Sequence, residues 1–148
     1  MTLESKPAEY GSEMAPTRMK TLAVIAIGGM IGAAARFKIA EALPTEPGHF
    51  PWATFWINLS GSFVLGFLLV VLLERLPAAR NTRLFLATGI LGAYTTMSTF
   101  AVETALLVKD DHAATALLYG LGSIAAGFFL AYAGVTTARV TVAGAPQR

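Results

Sequence analysis

Residues 84–102 read Leu84-Phe85-Leu86-Ala87-Thr88-Gly89-Ile90-Leu91-Gly92-Ala93-Tyr94-Thr95-Thr96-Met97-Ser98-Thr99-Phe100-Ala101-Val102, 19 residues without a charge. A bilayer core about 30 Å thick takes roughly 20 apolar residues at 1.5 Å each. The run reaches that length once Glu103, the lone acid after it, is admitted to the same helix. Its second half is not a plain apolar span. Gly89 and Gly92 are followed by Thr95, Thr96, Ser98 and Thr99, which place four hydroxyls in five positions. Glycine and β-branched threonine are poor helix formers. Hydroxyls bonded back to carbonyls are one way to keep such a run helical; a break is the favoured expectation. At membrane depth a break is tolerated only where it is buried in protein or faces a wet cavity. Broken helices offer free carbonyls to cations and free N–H groups to anions.

Working outward, the 20 charged residues fall in clusters, and the intervals between clusters set the architecture. The other uncharged intervals are 21–35, 47–73 and 112–138, of 15, 27 and 27 residues. The last two are long enough to span. The first is too short unless it continues past Arg36 to about Leu43, where Pro44 stops it. The expectation is an all-α integral membrane protein with four transmembrane helices, at about 21–43, 52–74, 84–108 and 113–137. Short loops then put both termini on one side. Composition agrees: 55% of the 148 residues are hydrophobic and only 14% are charged, against roughly 25% charged in soluble domains. Nothing forms a basic stripe for nucleic acid. Cysteine is absent, which removes disulfides, thiolate metal sites and cysteine nucleophiles.

Residues 1–20 are expected to form a disordered N-terminal tail, 21–137 the membrane domain and 138–148 a C-terminal tail. Arg18 and Lys20 followed by an apolar run ending at Ala33-Ala34-Ala35 imitate a cleavable signal peptide. Against that reading, apolar character resumes after Arg36.

Polar residues at membrane depth are where chemistry is expected. Thr54, Asn58 and Ser62 recur at i, i+4 and i+8, one stripe on the second helix. For Thr54 and Ser62 the stripe reads equally well as interhelical hydrogen bonding. An asparagine amide is expensive to bury unpaired, so Asn58 carries the functional expectation. Thr96, Phe100 and Glu103 share a helical face, and a carboxylate at that depth is a functional candidate unless it snorkels to the interface. Tyr119 and Ser123 sit at i, i+4 in the fourth helix, with Gly127 continuing the face. Gly28 and Gly32 read as a packing notch. Arg36 falls inside the span that the first helix needs, so it snorkels or faces an aqueous vestibule, where it raises local anion concentration. His49 and His112 stand at helix edges, far apart in sequence; with no cysteine and no paired acids a metal site or a catalytic triad has no materials, so no enzyme is expected.

Together these segments resemble the Fluc/CrcB fluoride channel family. The resemblance rests on Gly28-Gly29-Met30-Ile31-Gly32-Ala33-Ala34-Ala35-Arg36, on Asn58-Leu59-Ser60-Gly61-Ser62-Phe63, and on Gly92 through Phe100 followed by Glu103. Tyr119 with Ser123 fits its fourth helix. It implies passive, fluoride-selective conduction across the cell membrane by an antiparallel dimer of four-helix subunits with two pores. Each pore would take Asn58 and hydroxyls from one subunit and the phenylalanine position from the other. The implied fluoride path comprises Asn58, Thr96, Met97, Ser98, Thr99, Phe100, Glu103, Tyr119 and Ser123, with Arg36 in the vestibule. The implied cofactor is a structural sodium ion (Na+) on the dimer axis, bound by main-chain carbonyls of Gly92 and Thr95. Phe100 matches the second phenylalanine of the family's pore pair, and Met97 stands at the first, a departure. The implied partner is a second channel subunit, as an antiparallel homodimer or as a heterodimer with a homologue.

Fluoride is small and strongly hydrated, so replacing its water takes several close donors: the Asn58 amide, serine and threonine hydroxyls and the Tyr119 phenol. The positive edge of Phe100 can face an anion; Met97 offers a polarizable thioether instead. The competing expectation is a small dual-topology multidrug or guanidinium transporter subunit. That class needs a deep acid in its first helix, where this chain has only Glu41, at the end.

Overall fold

The computed structural model describes residues 14–74 and 80–143, and every regular element in them is helical. We number the helices α1 (Met14–Ala42), α2 (Trp52–Glu74), α3 (80–94), α4 (Met97–Lys109) and α5 (Ala113–Ala143). Four stretches are long and apolar enough to cross a membrane: Arg18–Ala42, Trp52–Glu74, Arg80–Lys109 and Ala113–Thr141. α2, with 23 residues, is about 35 Å long at 1.5 Å per residue, enough for one crossing.

Two helix boundaries differ most from the sequence expectation. α1 begins at Met14, so residues 14–20, assigned to the N-terminal tail, continue the first helix. Pro16 lies in its first turn, where the missing N–H has no intrahelical partner to lose. α5 runs to Ala143, past the expected end at 137. No glycine or proline interrupts it there, and Thr136 and Thr141 fold their hydroxyls back onto carbonyls of the preceding turn. The rest of both tails, 1–13 and 144–148, lies outside the described residues.

The helices pack as two close pairs, α1 with α3 and α2 with α5, and α4 lies against the first half of α5. Small residues let these backbones approach, which is how apolar helices pack without a hydrophobic driving force between them. A Cβ on Gly28 would come within 2.6 Å of the Phe85 carbonyl oxygen, and one on Gly32 would collide with the Ile90 carbonyl. Gly66 and Gly134 make the equivalent notches between α2 and α5, against the Ala131 and Phe63 carbonyls. Opposite the α1 notch, Leu84–Leu91 winds as a π-helix. This wider winding, common where a helix carries function, had no signature in the sequence reading.

α3 ends at Tyr94. Thr95 (φ −75°, ψ 155°) and Thr96 (φ −144°, ψ 116°) are extended, and α4 starts at Met97. The third membrane-length stretch is therefore two helical pieces joined by two extended threonines. A buried cluster of Tyr119, Leu107 and Ala116, with Phe50, Phe55 and Phe100 packed on it, fastens α4 to α5 beside that junction.

Candidate functional site

The junction is held from α2. Asn58 Nδ2 donates to the Thr96 carbonyl at 3.0 Å, and the Thr96 N–H donates to Asn58 Oδ1 at 2.9 Å. This two-point clasp reproduces a strand-like pair with one residue of main chain, which suits the extended Thr96. It also changes the reading of Asn58: the amide expected to be free for a ligand spends its acceptor and one N–H on the backbone. An amide nitrogen has two N–H groups, so the second is left for the adjoining space.

Thr96 is 6% exposed and caps α4. Its Oγ1 accepts the Thr99 N–H at 3.1 Å and donates to Thr99 Oγ1 at 2.9 Å, with Ser98 Oγ at 3.3 Å. Threonine is a favoured N-cap because its oxygen satisfies an N–H that the first turn leaves orphaned. The four hydroxyls in five positions thus explain the local fold. Thr95 ends the preceding helix by bonding its hydroxyl to the Leu91 carbonyl at 2.9 Å, and its methyl fills the space over Gly61. Ser62 donates to the Asn58 carbonyl at 2.8 Å.

One turn along α2, a second polar group is assembled around Glu103. Thr54 Oγ1 donates to one carboxylate oxygen at 2.9 Å and the Tyr119 hydroxyl to the other at 2.6 Å. Thr54 and Tyr119 are 4% and 0% exposed. Glu103 is half-buried and turns inward, where a snorkelling acid would turn to the interface. The Tyr119 ring is gripped by Phe100 and Phe50, with ring centroids at 5.0 and 5.3 Å. An aromatic frame of this kind fixes where the phenol points.

Beside the Asn58–Thr96 clasp lies a groove of about 440 Å³. Asn58, Ser62, Thr95, Thr96 and Ser123 supply its polar lining, and Gly92, Met97, Phe100, Ile124 and Phe128 are among its remaining walls. Ser123 Oγ is buried and has no hydrogen-bond partner among the described residues. Met97 is 75% exposed, at the rim.

Of the residues singled out in sequence, the structure brings Asn58, Thr95, Thr96, Met97, Phe100, Ser123 and Gly92 to one groove. Ser98 and Thr99 join it through the Thr96 hydroxyl, and Glu103 and Tyr119 form the neighbouring group. Arg36 does not line the groove; it is half-buried, with no ion pair among the described residues. Thr54 is the residue sequence reasoning undervalued. Its place in the stripe with Asn58 was the available signal. Phe50 had none, because it reaches Tyr119 from a loop whose path only the fold sets.

Comparison with known proteins gives a consistent picture. The family model described as CrcB-like protein, Camphor Resistance (CrcB), matches residues 23–135. The chain is 48% identical over 98 residues to "Fluoride-specific ion channel FluC 2" of Streptomyces avermitilis, covering 66% of this chain and 62% of that protein. It is 40% identical over 126 residues to "Fluoride-specific ion channel FluC 3" of the same organism, covering 85% and 62%. Against "Fluoride-specific ion channel FluC" of Chlorobaculum tepidum it is 38% identical over 122 residues, covering 82% and 97%. The chain thus spans about three-fifths of the two Streptomyces proteins' length and almost all of the Chlorobaculum one.

Proposed function

The chain belongs to the CrcB family, a multi-pass membrane family with no enzymatic chemistry, and from that premise we propose that it is one subunit of a fluoride channel, conducting fluoride passively out across the cell membrane and so lowering fluoride inside the cell. The observation that carries the reading is the groove beside the Asn58–Thr96 clasp. There the second Asn58 N–H and the unpartnered Ser123 hydroxyl stand next to Phe100. A small, strongly hydrated anion needs such donors to replace its water, and an aromatic edge adds positive potential without bringing in a counter-charge. Farther along, the Thr54 and Tyr119 hydroxyls now turned onto Glu103 are donors that an arriving fluoride can take over. Arg36, which has no ion pair among the described residues, serves at the approach as a cation that concentrates anions.

The groove is unfinished in one chain. Met97, Ile124 and Phe128 on its walls are 75%, 63% and 72% exposed. In the proposed assembly an oppositely oriented second subunit covers them, and each pore combines one subunit's polar residues with Phe100 and Met97 of the other. The same reading puts a structural sodium ion between the subunits. The residues fit it. The Thr96 N–H that a continuous helix would direct to the Gly92 carbonyl donates to Asn58 instead, and the Thr99 N–H due to the Thr95 carbonyl goes to the Thr96 hydroxyl. Both carbonyls are thereby relieved of their helical partners, and hard cations select oxygen ligands. Gly92 and Thr95 of each subunit would hold the ion, which would supply fixed positive charge that draws the two breaks together.

Purified protein in liposomes, with efflux followed by a fluoride electrode, tests the function. Fluoride release above protein-free liposomes, with chloride retained, is expected; dimeric protein that releases neither overturns it.

A further inference from the structure

Two turns from distant parts of the chain meet at the end of the helices opposite the start of α1 and the end of α5. In the loop between α1 and α2, Glu46-Pro47-Gly48-His49 closes a type II turn. The His49 N–H donates to the Glu46 carbonyl at 3.1 Å, and Gly48, third in the turn, has φ +78°. Such a turn favours proline second and requires a positive φ at its third residue, which suits glycine. At the end of α4, the His112 N–H donates to the Leu107 carbonyl at 2.8 Å and the Asp111 N–H to the Val108 carbonyl at 3.3 Å, with Asp111 at φ 62°. This is a Schellman closure, with aspartate in the left-handed place that glycine usually takes. Both turns thus have a fixed shape. Where they meet, the His112 ring fills the space that a Cβ on Gly48 would need. Two residues on, Phe50 sets its ring edge-on to Tyr119, and Pro51 after it is fully buried.

We propose that His112 seated on Gly48 is a catch that holds the loop, and through Phe50 the Tyr119 phenol, in line with the fluoride path. On the reading of Tyr119 as a fluoride donor given above, Gly48, Phe50 and His112 are then positioning residues for conduction. Tyr119 is 0% exposed and donates to Glu103 at 2.6 Å. A hydrogen bond in such a dry place is stronger than in water, and a donor already aimed needs no ordering when the ion arrives. Both depend on the rings that wall the phenol in. Phe100 comes from a helix, whereas Phe50 comes from a loop. On one side Phe50 is attached to α2, packing on Trp52 and Phe55 with ring centroids at 4.5 and 5.2 Å. On the other, the catch ties the loop to the turn that leads into α5, the helix carrying Tyr119. Without the His112 ring the loop keeps its hold on α2 and loses this hold on α5, so Phe50 parts from Tyr119 and water reaches the phenol.

Fluoride efflux from liposomes and amide hydrogen exchange in detergent, read on the same proteins, test the catch. His112→Ala removes the ring and should lower efflux by about threefold to tenfold, at most the loss expected of the Tyr119 hydroxyl itself. His112→Phe keeps a flat ring on Gly48 and should restore efflux. In a Tyr119→Phe background, where no hydroxyl is left to aim, His112→Ala should lower efflux no further. Amide exchange over residues 46–52 should quicken in His112→Ala and keep its unaltered rate in His112→Phe, since local opening is what the catch opposes. Unchanged efflux from His112→Ala overturns the positioning role. So do losses that multiply in the double variant, which belong to a general loosening of the fold. Unchanged exchange in His112→Ala overturns the catch, whether or not the protein conducts. Exchange that responds as expected in a protein releasing no fluoride upholds the catch and tells against the channel reading instead.

Discussion

Thr54 and Asn58 stand one turn apart on α2, yet they are committed to different kinds of partner. Asn58 grips main chain, through both the N–H and the carbonyl of Thr96. Thr54 grips a side chain, sharing the Glu103 carboxylate with Tyr119. The first group decides where the backbone goes. The second decides where a charge sits on a backbone already placed. Loss of the Asn58 clasp therefore strands two buried main-chain groups, whereas loss of the Thr54 hydroxyl leaves Glu103 with the Tyr119 bond. One polar stripe thus carries a fold-determining contact and a site-tuning contact, and the two should fail differently.

The largest expected effect comes from Asn58→Ala. Unsatisfied buried polar groups cost about 1–3 kcal/mol each, and this substitution leaves the Thr96 N–H and carbonyl both unpaired. Fluoride efflux should fall to the protein-free background and the melting temperature in detergent should drop. Wild-type flux from this variant would mean that the pore lies elsewhere.

Phe100→Ile should also abolish efflux, but without the same loss of stability, since an apolar side chain remains against Tyr119. If melting falls as far as for Asn58→Ala, Phe100 belongs with the fold-determining contacts and the contrast between the groups is lost.

Tyr119→Phe and Thr54→Val each remove one hydroxyl from Glu103. A single hydrogen bond is worth about 0.5–1.5 kcal/mol, so efflux should decline by up to about tenfold with the elution volume on a sizing column unchanged. Equal and complete loss from either variant would place this group on the same footing as the clasp.

The smallest effect belongs to Thr95→Ser. The proposed sodium ligand is the main-chain carbonyl, and serine keeps the hydroxyl that bonds to Leu91. Only the methyl over Gly61 is lost. Efflux and its sodium dependence should stay close to wild type; a large change would show that the side chain, not the carbonyl, does the binding.

Much of this arrangement was legible in the residues. The uncharged runs marked four membrane-length helices because charge is so costly in lipid, and Gly92-Ala93-Tyr94-Thr95-Thr96 marked a poor place for a helix because glycine and adjacent threonines favour other conformations. Helix ends were less legible. Residues 14–20 and 138–143 continue helices beyond the hydrophobic runs, since a helix can outlast the membrane that its apolar part spans. The π-helical winding at Leu84–Leu91, which packs against α1 at Gly28 and Gly32, left no trace in its own side chains.

By itself the sequence determined that the chain lives in lipid, how many times it can cross, which family it belongs to and which polar residues must find partners there. Composition and local propensity suffice for those, as each is a property of one segment. Only the tertiary structure decided who the partners are. Asn58 could have offered its whole amide to a ligand, and Glu103 could have reached for the interface. Packing α2 against α5 and α4 brought Thr96 within hydrogen-bond distance of the first, and Thr54 and Tyr119 within reach of the second. A buried polar group takes the nearest group of matching geometry, and which group is nearest is set by residues far away in the chain.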